Sequence, residues 1–172
     1  GRKLGRIIAV ANQKGGVGKS TTAINLSACL AEKGKKVLAI DIDPQGNTTS
    51  GLGVDKNTVE NTLYELLLGQ ADAKSTIVKN VVENLDLIPS NVNLSGAEIE
   101  LIGVDDKEYI LKRITDKIRR KYDYIIMDCP PSLNMLTINA LTAATSVLVP
   151  IQCEYYALEG LSQLIHTIDL VK

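Results

Sequence analysis

The sequence contains no long apolar run. Although 45% of its 172 residues are hydrophobic, no stretch reaches the roughly eighteen consecutive apolar residues that a membrane-spanning helix needs. The first residues, GRKLGR, also lack the apolar core of a secretion signal. These absences exclude a membrane span in this sequence and argue against secretion, so we expect a cytoplasmic protein.

Cysteine and histidine are scarce. The three cysteines, Cys29, Cys129 and Cys153, are spaced in a way that fits neither a metal-ligand pattern nor a disulfide framework. We therefore expect reduced thiols. The single histidine, His166, stands alone in a helical pattern and is interpreted as a surface or packing residue.

An excess of charge of one sign is absent as well. The 19 Lys and Arg residues nearly balance the 20 Asp and Glu residues, for a formal net charge of -1. This balance argues against a nucleic-acid footprint over the whole surface, although a local basic patch remains compatible with it. Repeats, low-complexity tracts and linker-like stretches are also missing. We therefore expect residues 1–172 to form a single domain.

Short apolar runs alternate with helical patterns along the chain. Runs typical of buried strands occupy residues 6–12, 35–43, 85–90, 122–128 and 145–151, and helical patterns occupy 20–33, 62–68, 106–121, 134–144 and 157–171. Because the apolar runs are continuous, the strands should be covered on both faces. The alternation predicts an α/β fold with three layers, a mostly parallel sheet between two layers of helices. The last helical pattern halts without a glycine, proline or polar tail, so we expect the domain to continue beyond residue 172.

A glycine-rich segment, NQKGGVGKST at residues 12–21, lies between the first strand and the first helix. The phosphate-binding pattern G-x-x-x-x-G-K-[ST] calls for glycine at position 13, where this chain has Gln13, followed by an additional lysine, Lys14. In such a loop the backbone N–H groups and the helix N-terminus surround phosphate oxygens. The segment predicts binding of a nucleoside triphosphate with Mg²⁺, through Lys14, Gly15, Gly16, Val17, Gly18, Lys19, Ser20 and Thr21.

Within this loop the side chains have separate expected roles. Lys19 should reach the β- and γ-phosphates, and the Ser20 hydroxyl should ligate magnesium. Thr21 is placed to donate a hydrogen bond to the α-phosphate.

Acidic residues stand where two predicted strands end. The segment AIDIDPQGN carries Asp41 and Asp43, which strand alternation would place on one face. The segment YIIMDCPPS ends an apolar run at Asp128, as in a Walker-B strand whose carboxylate holds magnesium. Beside a triphosphate, one of the first two carboxylates would serve the magnesium shell and the other the attacking water.

With these motifs, the chain resembles the ParA/Soj branch of the deviant-Walker-A ATPases, which are chromosome- and plasmid-partitioning proteins. The resemblance begins with KGGVGKS at residues 14–20 and extends from about Arg6 to the end of the chain. It also includes DIDPQGNTTSGLG (41–53), PSNVNLSGAE (89–98), DCPPSLNMLTINAL (128–141) and VPIQCEYYALEGL (149–161). One departure is Ser20, where threonine is common in the family.

The resemblance implies the P-loop NTPase fold and a slow, magnesium-dependent ATPase that works as an ATP-dependent homodimer. In the family the residue matching Lys14 crosses to the partner's nucleotide, and Gly15 would lie where two backbones approach. Catalytic roles would fall to Lys14, Lys19 and Asp43, the last positioning the water. The metal ligands would be Ser20, Asp41 and Asp128, and residues 44–53 and 128–132 would act as switches.

The resemblance also implies partners and a location. A ParB-like protein would stimulate hydrolysis, and the dimer would bind non-specific DNA through residues beyond position 172. The protein would be cytoplasmic and nucleoid-associated, without membrane binding.

Four alternatives share parts of these motifs. A MinD-type membrane-cycling ATPase would need a C-terminal amphipathic helix, which is not seen in these residues. An iron–sulfur carrier would need paired cysteines, and Cys129 alone is a poor candidate. A small-molecule synthetase would turn over ATP only with its metabolite, and a GTPase would need an N-K-x-D motif, which is absent from this sequence.

Overall fold

The computed structural model describes residues 4–11 and 19–150, with residues 19–21 described by their backbone only. Predictions for residues 12–18 and for the helical pattern at 157–171 lie outside this part of the chain. No helix within the described ranges is long and apolar enough to cross a membrane.

Six strands form one sheet in the order β3-β4-β2-β5-β1-β6. Neighbouring strands are parallel, except that β3 runs antiparallel to β4. The mostly parallel sheet and all five predicted strands are confirmed. The strands are β1 (Arg6–Val10), β2 (Val37–Asp41), β3 (Val78–Val82), β4 (Leu85–Ile88), β5 (Tyr124–Asp128) and β6 (Ser146–Leu148).

Strand β3 was not predicted from the sequence. Its segment, VKNVV, has no continuous apolar run. This composition fits its place as the outermost, half-exposed strand of the sheet. Asn80 within it and Asn84 after it have positive φ angles of 53° and 67°, which asparagine tolerates better than most residues. The hairpin therefore depends on local backbone geometry rather than on a hydrophobic pattern.

Seven α-helices accompany the sheet in the described residues. Four of them confirm the predicted helices, although the pattern at 106–121 is divided into an α-helix flanked by 3-10 turns at 107–109 and 119–121. Three other short helices of four or five residues were not predicted, because their sequences, NTTSG, AKST and AEIE, are largely polar, unlike the LYELL of the predicted short helix. The helices are α1 (Lys19–Glu32), α2 (Asn47–Gly51), α3 (Leu63–Leu67), α4 (Ala73–Thr76), α5 (Ala97–Glu100), α6 (Ile110–Ile118) and α7 (Met135–Ala143).

Buried side chains cover both faces of the sheet. On one face, Ile8 and Val10 of β1 pack with Ala23 and Leu26 of α1. On the other face, Ile7 and Ile125 pack with side chains of α3, α6 and α7, among them Leu63, Leu111 and Leu136. Burial of each such Leu or Ile side chain stabilises the folded state by about 1.5–3 kcal/mol relative to exposure to water. The three-layer arrangement predicted from the strand–helix alternation is thereby confirmed.

The carboxyl ends of β1, β2 and β5 meet at one edge of the sheet, where Asp128 is in register with both Val10 and Asp41. Helix α1 begins at the same edge. Its other end lies at the opposite edge, where Asn84 donates to the Ala31 carbonyl oxygen over 3.3 Å. The edge where β1, β2 and β5 end, which we call the carboxyl edge, is where parallel α/β sheets bind ligands. We call the opposite edge, where these strands begin, the amino edge.

Candidate functional site

Two buried carboxylates lie side by side at the carboxyl edge. Asp41 ends β2 and Asp128 ends β5, in direct register, with 0% and 1% of their surface exposed. Burial raises the pKa of Asp41 to about 7, and the neighbouring Asp128 acts in the same direction, while hydrogen bonds from Thr49 and Asp43 oppose the shift. Adjacent strands are only about 4.8 Å apart, so these groups repel when both are ionised.

Helix α2 supplies a hydroxyl group to each carboxylate. The Thr48 hydroxyl donates to Asp128 Oδ2 over 2.6 Å, and Thr49 donates to Asp41 Oδ2 from its hydroxyl over 2.7 Å and from its N–H over 2.8 Å. Because successive helical residues point about 100° apart, two neighbouring threonines can reach two neighbouring strands. The helix thus closes over the paired carboxylates.

Two glycines allow α2 to lie so close to the site. Gly46, which precedes the helix, has a φ of 68°, a left-handed conformation that glycine adopts without strain. Gly51 lies so near α1 that a Cβ atom there would stand 2.4 Å from Ile24 Cδ1. A side chain at position 51 would therefore require the Ile24 side chain to move.

Asp43 lies in the turn that joins β2 to α2. Its N–H donates to Asp41 Oδ1 over 3.1 Å, and its own Oδ1 accepts from the Gln45 N–H over 3.0 Å. Strand β2 ends at Asp41, although the Ile42 N–H still donates to the Asp128 carbonyl oxygen over 2.9 Å. The alignment of Asp41 with Asp43 by strand alternation stays a prediction.

Two further tethers hold this turn. The buried Ser90 hydroxyl, just after β4, donates to the Asp43 carbonyl oxygen over 2.7 Å. Lys56 Nζ donates to the Gln45 carbonyl oxygen over 2.5 Å. The Ser90 N–H also donates to the Thr49 hydroxyl oxygen over 3.0 Å, so one residue connects the turn with α2.

The segment after Asp128 leads from the site to α7. The Cys129 N–H donates to the Val10 carbonyl oxygen over 3.1 Å, and Leu133 is 79% exposed. Asn134 caps α7 by accepting from the Thr137 N–H over 3.1 Å. Glu98 Oε1 accepts from the Met135 N–H over 2.7 Å. The start of α7 is thus fixed by α5 as well as by its own cap.

The structure describes only part of the glycine-rich loop. Of its predicted ligands, Lys14, Gly15, Gly16, Val17 and Gly18 lie outside the described residues. Lys19, Ser20 and Thr21 form the start of α1, without described side chains. Their roles therefore stay predictions. Cys29 is a free thiol, and Cys153 lies outside the described residues.

The donor chemistry of the site fits magnesium. Asp41, Asp43 and Asp128 present carboxylate oxygens and Thr48 presents a hydroxyl oxygen, and Mg²⁺ prefers oxygen ligands. Within residues 4–11 and 19–150, no group of three or more His, Cys, Asp or Glu side chains is arranged to hold a metal on its own. Magnesium commonly completes its shell with water and phosphate oxygens, so the two adjacent carboxylates suit a nucleotide-bound ion.

Sequence reasoning missed three residues of this site: Thr48, Thr49 and Ser90. The threonines fall inside the segment 44–53 that was expected to act as a switch, but nothing in the sequence shows which strand each hydroxyl would reach. Ser90 lies 41 positions from Thr49. Such contacts depend on the tertiary fold.

The chain matches one family model and several known protein sequences along nearly its whole length. A family model described as an AAA domain matches residues 5–172. Sporulation initiation inhibitor protein Soj of Bacillus subtilis is 59% identical over 169 residues, which cover 98% of this chain and 67% of Soj. Chromosome partitioning protein ParA of Myxococcus xanthus is 53% identical over 98% of this chain and 60% of that protein. The chain therefore spans between 60% and 67% of the length of these two relatives.

Solved structures agree with the fold. Cobyrinic acid a,c-diamide synthase from Mycobacterium smegmatis, with a bound ATP analog and magnesium, gives a TM-score of 0.84 at 45% identity, over 98% of this chain and 68% of that one. A plasmid partition protein from Borrelia burgdorferi gives a TM-score of 0.76 at 37% identity, over 97% and 74%. The expected nucleotide-binding α/β fold is thereby confirmed.

Proposed function

Because this chain belongs to the ParA/Soj family of partitioning proteins, we propose that it binds ATP with Mg²⁺ and hydrolyses it slowly. The observation that carries this proposal is the pair of buried carboxylates, Asp41 and Asp128, at the edge where α1 begins. Two adjacent carboxylates in a buried place are costly unless a cation compensates them. A magnesium ion on the nucleotide would supply that charge and offset the charge of the phosphates.

In this proposal the start of α1 binds the phosphates. Lys19 pairs with the β- and γ-phosphates, Ser20 donates an oxygen ligand to magnesium and Thr21 contacts the α-phosphate. Backbone N–H groups of Gly15, Gly16, Val17 and Gly18 line the phosphate cradle. Asp41 and Asp128 complete the metal site from the strand ends.

Asp43 is the proposed residue that orients the attacking water. Its N–H donates to Asp41 Oδ1, and its turn is held by Ser90 and Lys56. In this proposal the turn presents the Asp43 carboxylate to the bound nucleotide. Proton acceptance or orientation by a positioned carboxylate contributes about 10²–10⁴-fold to a rate. Residues 44–53 and 128–132 would respond to the γ-phosphate as switches.

A second part of the proposal concerns the assembly of two protein subunits into a dimer. ATP would drive formation of a homodimer, and Lys14 would reach the partner subunit's nucleotide, where it neutralises phosphate charge as an arginine finger does in other NTPases. The dimer would bind non-specific DNA on the nucleoid in the cytoplasm, and a ParB-like protein would stimulate hydrolysis. Residues 1–172 would act as one ATPase domain.

Sizing chromatography with ATP and with ADP tests this proposal, on the 172-residue chain and on any longer natural form. We expect ATP, but not ADP, to shift the protein to a dimer. Lys14→Gln should still bind ATP as a monomer yet dimerise less, whereas Lys112→Gln, on the exposed part of α6, should match the parent. If the parent binds no ATP, the proposal is wrong. Normal dimerisation of Lys14→Gln would refute only the role across the interface.

A second candidate is a small-molecule synthetase, because one solved structure at 45% identity is called cobyrinic acid a,c-diamide synthase. Such an enzyme would turn over ATP only in the presence of its metabolite. ATP turnover by the purified protein alone, increased by DNA and a ParB-like protein, would favour the partitioning ATPase. Turnover that strictly requires a small organic acid would favour the synthetase.

A further inference from the structure

Thr48 connects α2 with the end of β5. Its side chain is buried with 1% of its surface exposed, and its hydroxyl donates to Asp128 Oδ2 over 2.6 Å. The two residues are 80 positions apart in the sequence. Hydroxyl-to-carboxylate bonds of this length are charge-assisted and among the stronger protein hydrogen bonds.

The position of the Thr48 hydroxyl depends on contacts of α2 with parts of the protein outside the glycine-rich segment. Helix α2 packs against α1. It is also fixed to the turn through the bond from the Ser90 N–H to the Thr49 hydroxyl oxygen. Thr48 therefore lies on a helix that contacts α1 and Ser90 in addition to its own bond to Asp128.

We propose that Thr48 is a positioning residue for the cation site, whose hydroxyl holds the Asp128 carboxylate in the orientation that accepts magnesium–nucleotide. The inference rests on the proposed function. A bond to one carboxylate oxygen restricts rotation of the group and so fixes where the other oxygen points. Partners that orient metal ligands in this way typically contribute 10–100-fold to metal affinity.

The threonine hydroxyl is also compatible with a bound ion. It donates one hydrogen but keeps two acceptor lone pairs, so it can accept a hydrogen bond from a water molecule while it donates to Asp128. If the hydroxyl competed with the ion for Asp128, its hydrogen bond to Asp128 would have to break when the ion binds. The bond from the Ser90 N–H to the hydroxyl oxygen of the adjacent Thr49 favours retention of the bond between Thr48 and Asp128.

The test compares Thr48→Val, which removes the hydroxyl at nearly constant volume, with Thr48→Ser, which keeps it. Calorimetry would measure the affinity for a non-hydrolysable ATP analogue in Mg²⁺ and in EDTA. We expect Thr48→Val to lose 10–100-fold of affinity in Mg²⁺ and almost none in EDTA, and Thr48→Ser to stay near the parent. Thr115→Val is the matched control, since Thr115 is a buried threonine whose hydroxyl donates within α6.

Each other outcome overturns the inference. Parent-like or tighter affinity of Thr48→Val in Mg²⁺ would show that the hydroxyl does not assist the cation site. An equal loss in Mg²⁺ and EDTA would show a merely structural role. If Thr48→Val does not fold, Thr48→Ala provides the same comparison. Failure of the parent to bind the analogue would refute the proposed function itself, which separates the two failures.

Discussion

Buried carboxylates occur at both edges of the sheet, and they are held in different ways. At the amino edge, Asp86 Oδ2 accepts from the Tyr122 hydroxyl over 2.7 Å and Oδ1 accepts from the Asn80 N–H over 2.9 Å, with Lys79 Nζ at 3.6 Å. At the carboxyl edge, Asp41 and Asp128 stand in register beside each other. All three carboxylates accept hydrogen bonds, but Asp86 has a cation beside it, whereas Asp41 and Asp128 face each other's like charge.

This difference separates a structural cluster from a functional one. Removal of a buried carboxylate whose oxygens are hydrogen-bonded leaves its donors without an acceptor, which lowers the stability of the fold. Paired carboxylates with a pKa raised to about 7 at Asp41 are typical of sites that bind a ligand or perform chemistry. Changes at the amino edge should therefore alter stability, and changes at the carboxyl edge should alter nucleotide binding and turnover.

The largest effect is expected from Asp43→Ala at the carboxyl edge. This variant should retain ATP binding but lose about 10²–10⁴-fold of the hydrolysis rate, because the group that orients water is removed and the phosphate cradle stays. Phosphate release and calorimetry would measure the two quantities. Asp55→Ala, in the next exposed turn, is the control. Near-parent hydrolysis by Asp43→Ala would assign the role elsewhere, with Asp41 next.

At the amino edge, Asp86→Ala should lower the free energy of unfolding by about 3 kcal/mol, since it leaves the buried Tyr122 hydroxyl and the Asn80 N–H without their acceptor. ATP affinity should not change. Urea denaturation would measure the effect, with Asp116→Ala on the exposed side of α6 as the control. A loss under 1 kcal/mol would mean that the amino-edge cluster is not a structural one.

Lys19→Ala tests the phosphate end of the site. We expect ATP affinity to fall by 10–100-fold, because a hydrogen bond to a charged group contributes about 1.5–3 kcal/mol. The free energy of unfolding should stay near that of the parent. Lys33→Ala, just beyond the other end of α1, is the control. Unchanged ATP affinity measured by calorimetry would refute the assignment of the glycine-rich loop.

The sequence predicted those strands and helices whose own residues form a recognisable hydrophobic pattern. Strand β5 was predicted because four apolar residues end at a carboxylate, and this pattern also located Asp128 at the sheet edge. Strand β3 could not be predicted, because its side chains alternate irregularly and its turn depends on asparagines with positive φ. Helix α2 could not be predicted either, because its five residues, NTTSG, include no large apolar side chain.

The site was predictable in its charges but not in its hydrogen bonds. Asp41, Asp43 and Asp128 could be found because each follows or ends an apolar run. The contacts of Thr48 with Asp128 and of Ser90 with Asp43 join residues 80 and 47 positions apart. Only the packed fold decides which of many hydroxyl groups comes within hydrogen-bonding distance.

The smallest effect is expected from Tyr122→Phe, which makes the same kind of change at the amino edge as Thr48→Val makes at the carboxyl edge. Each variant deletes one buried hydroxyl that donates to a carboxylate. Tyr122→Phe should cost about 1–1.5 kcal/mol of unfolding free energy, less than Asp86→Ala, because the Asn80 N–H and Lys79 still contact Asp86.

The matched pair gives the sharpest comparison of the two edges. Tyr122→Phe should leave ATP affinity in Mg²⁺ unchanged, since Asp86 lies at the edge opposite the site, whereas Thr48→Val should lower that affinity and leave it unchanged in EDTA. Urea denaturation and calorimetry on both variants measure stability and binding separately. If Tyr122→Phe weakens ATP binding as much as Thr48→Val does, the two carboxylate clusters are coupled through the sheet. The division into a structural edge and a functional edge would then be wrong.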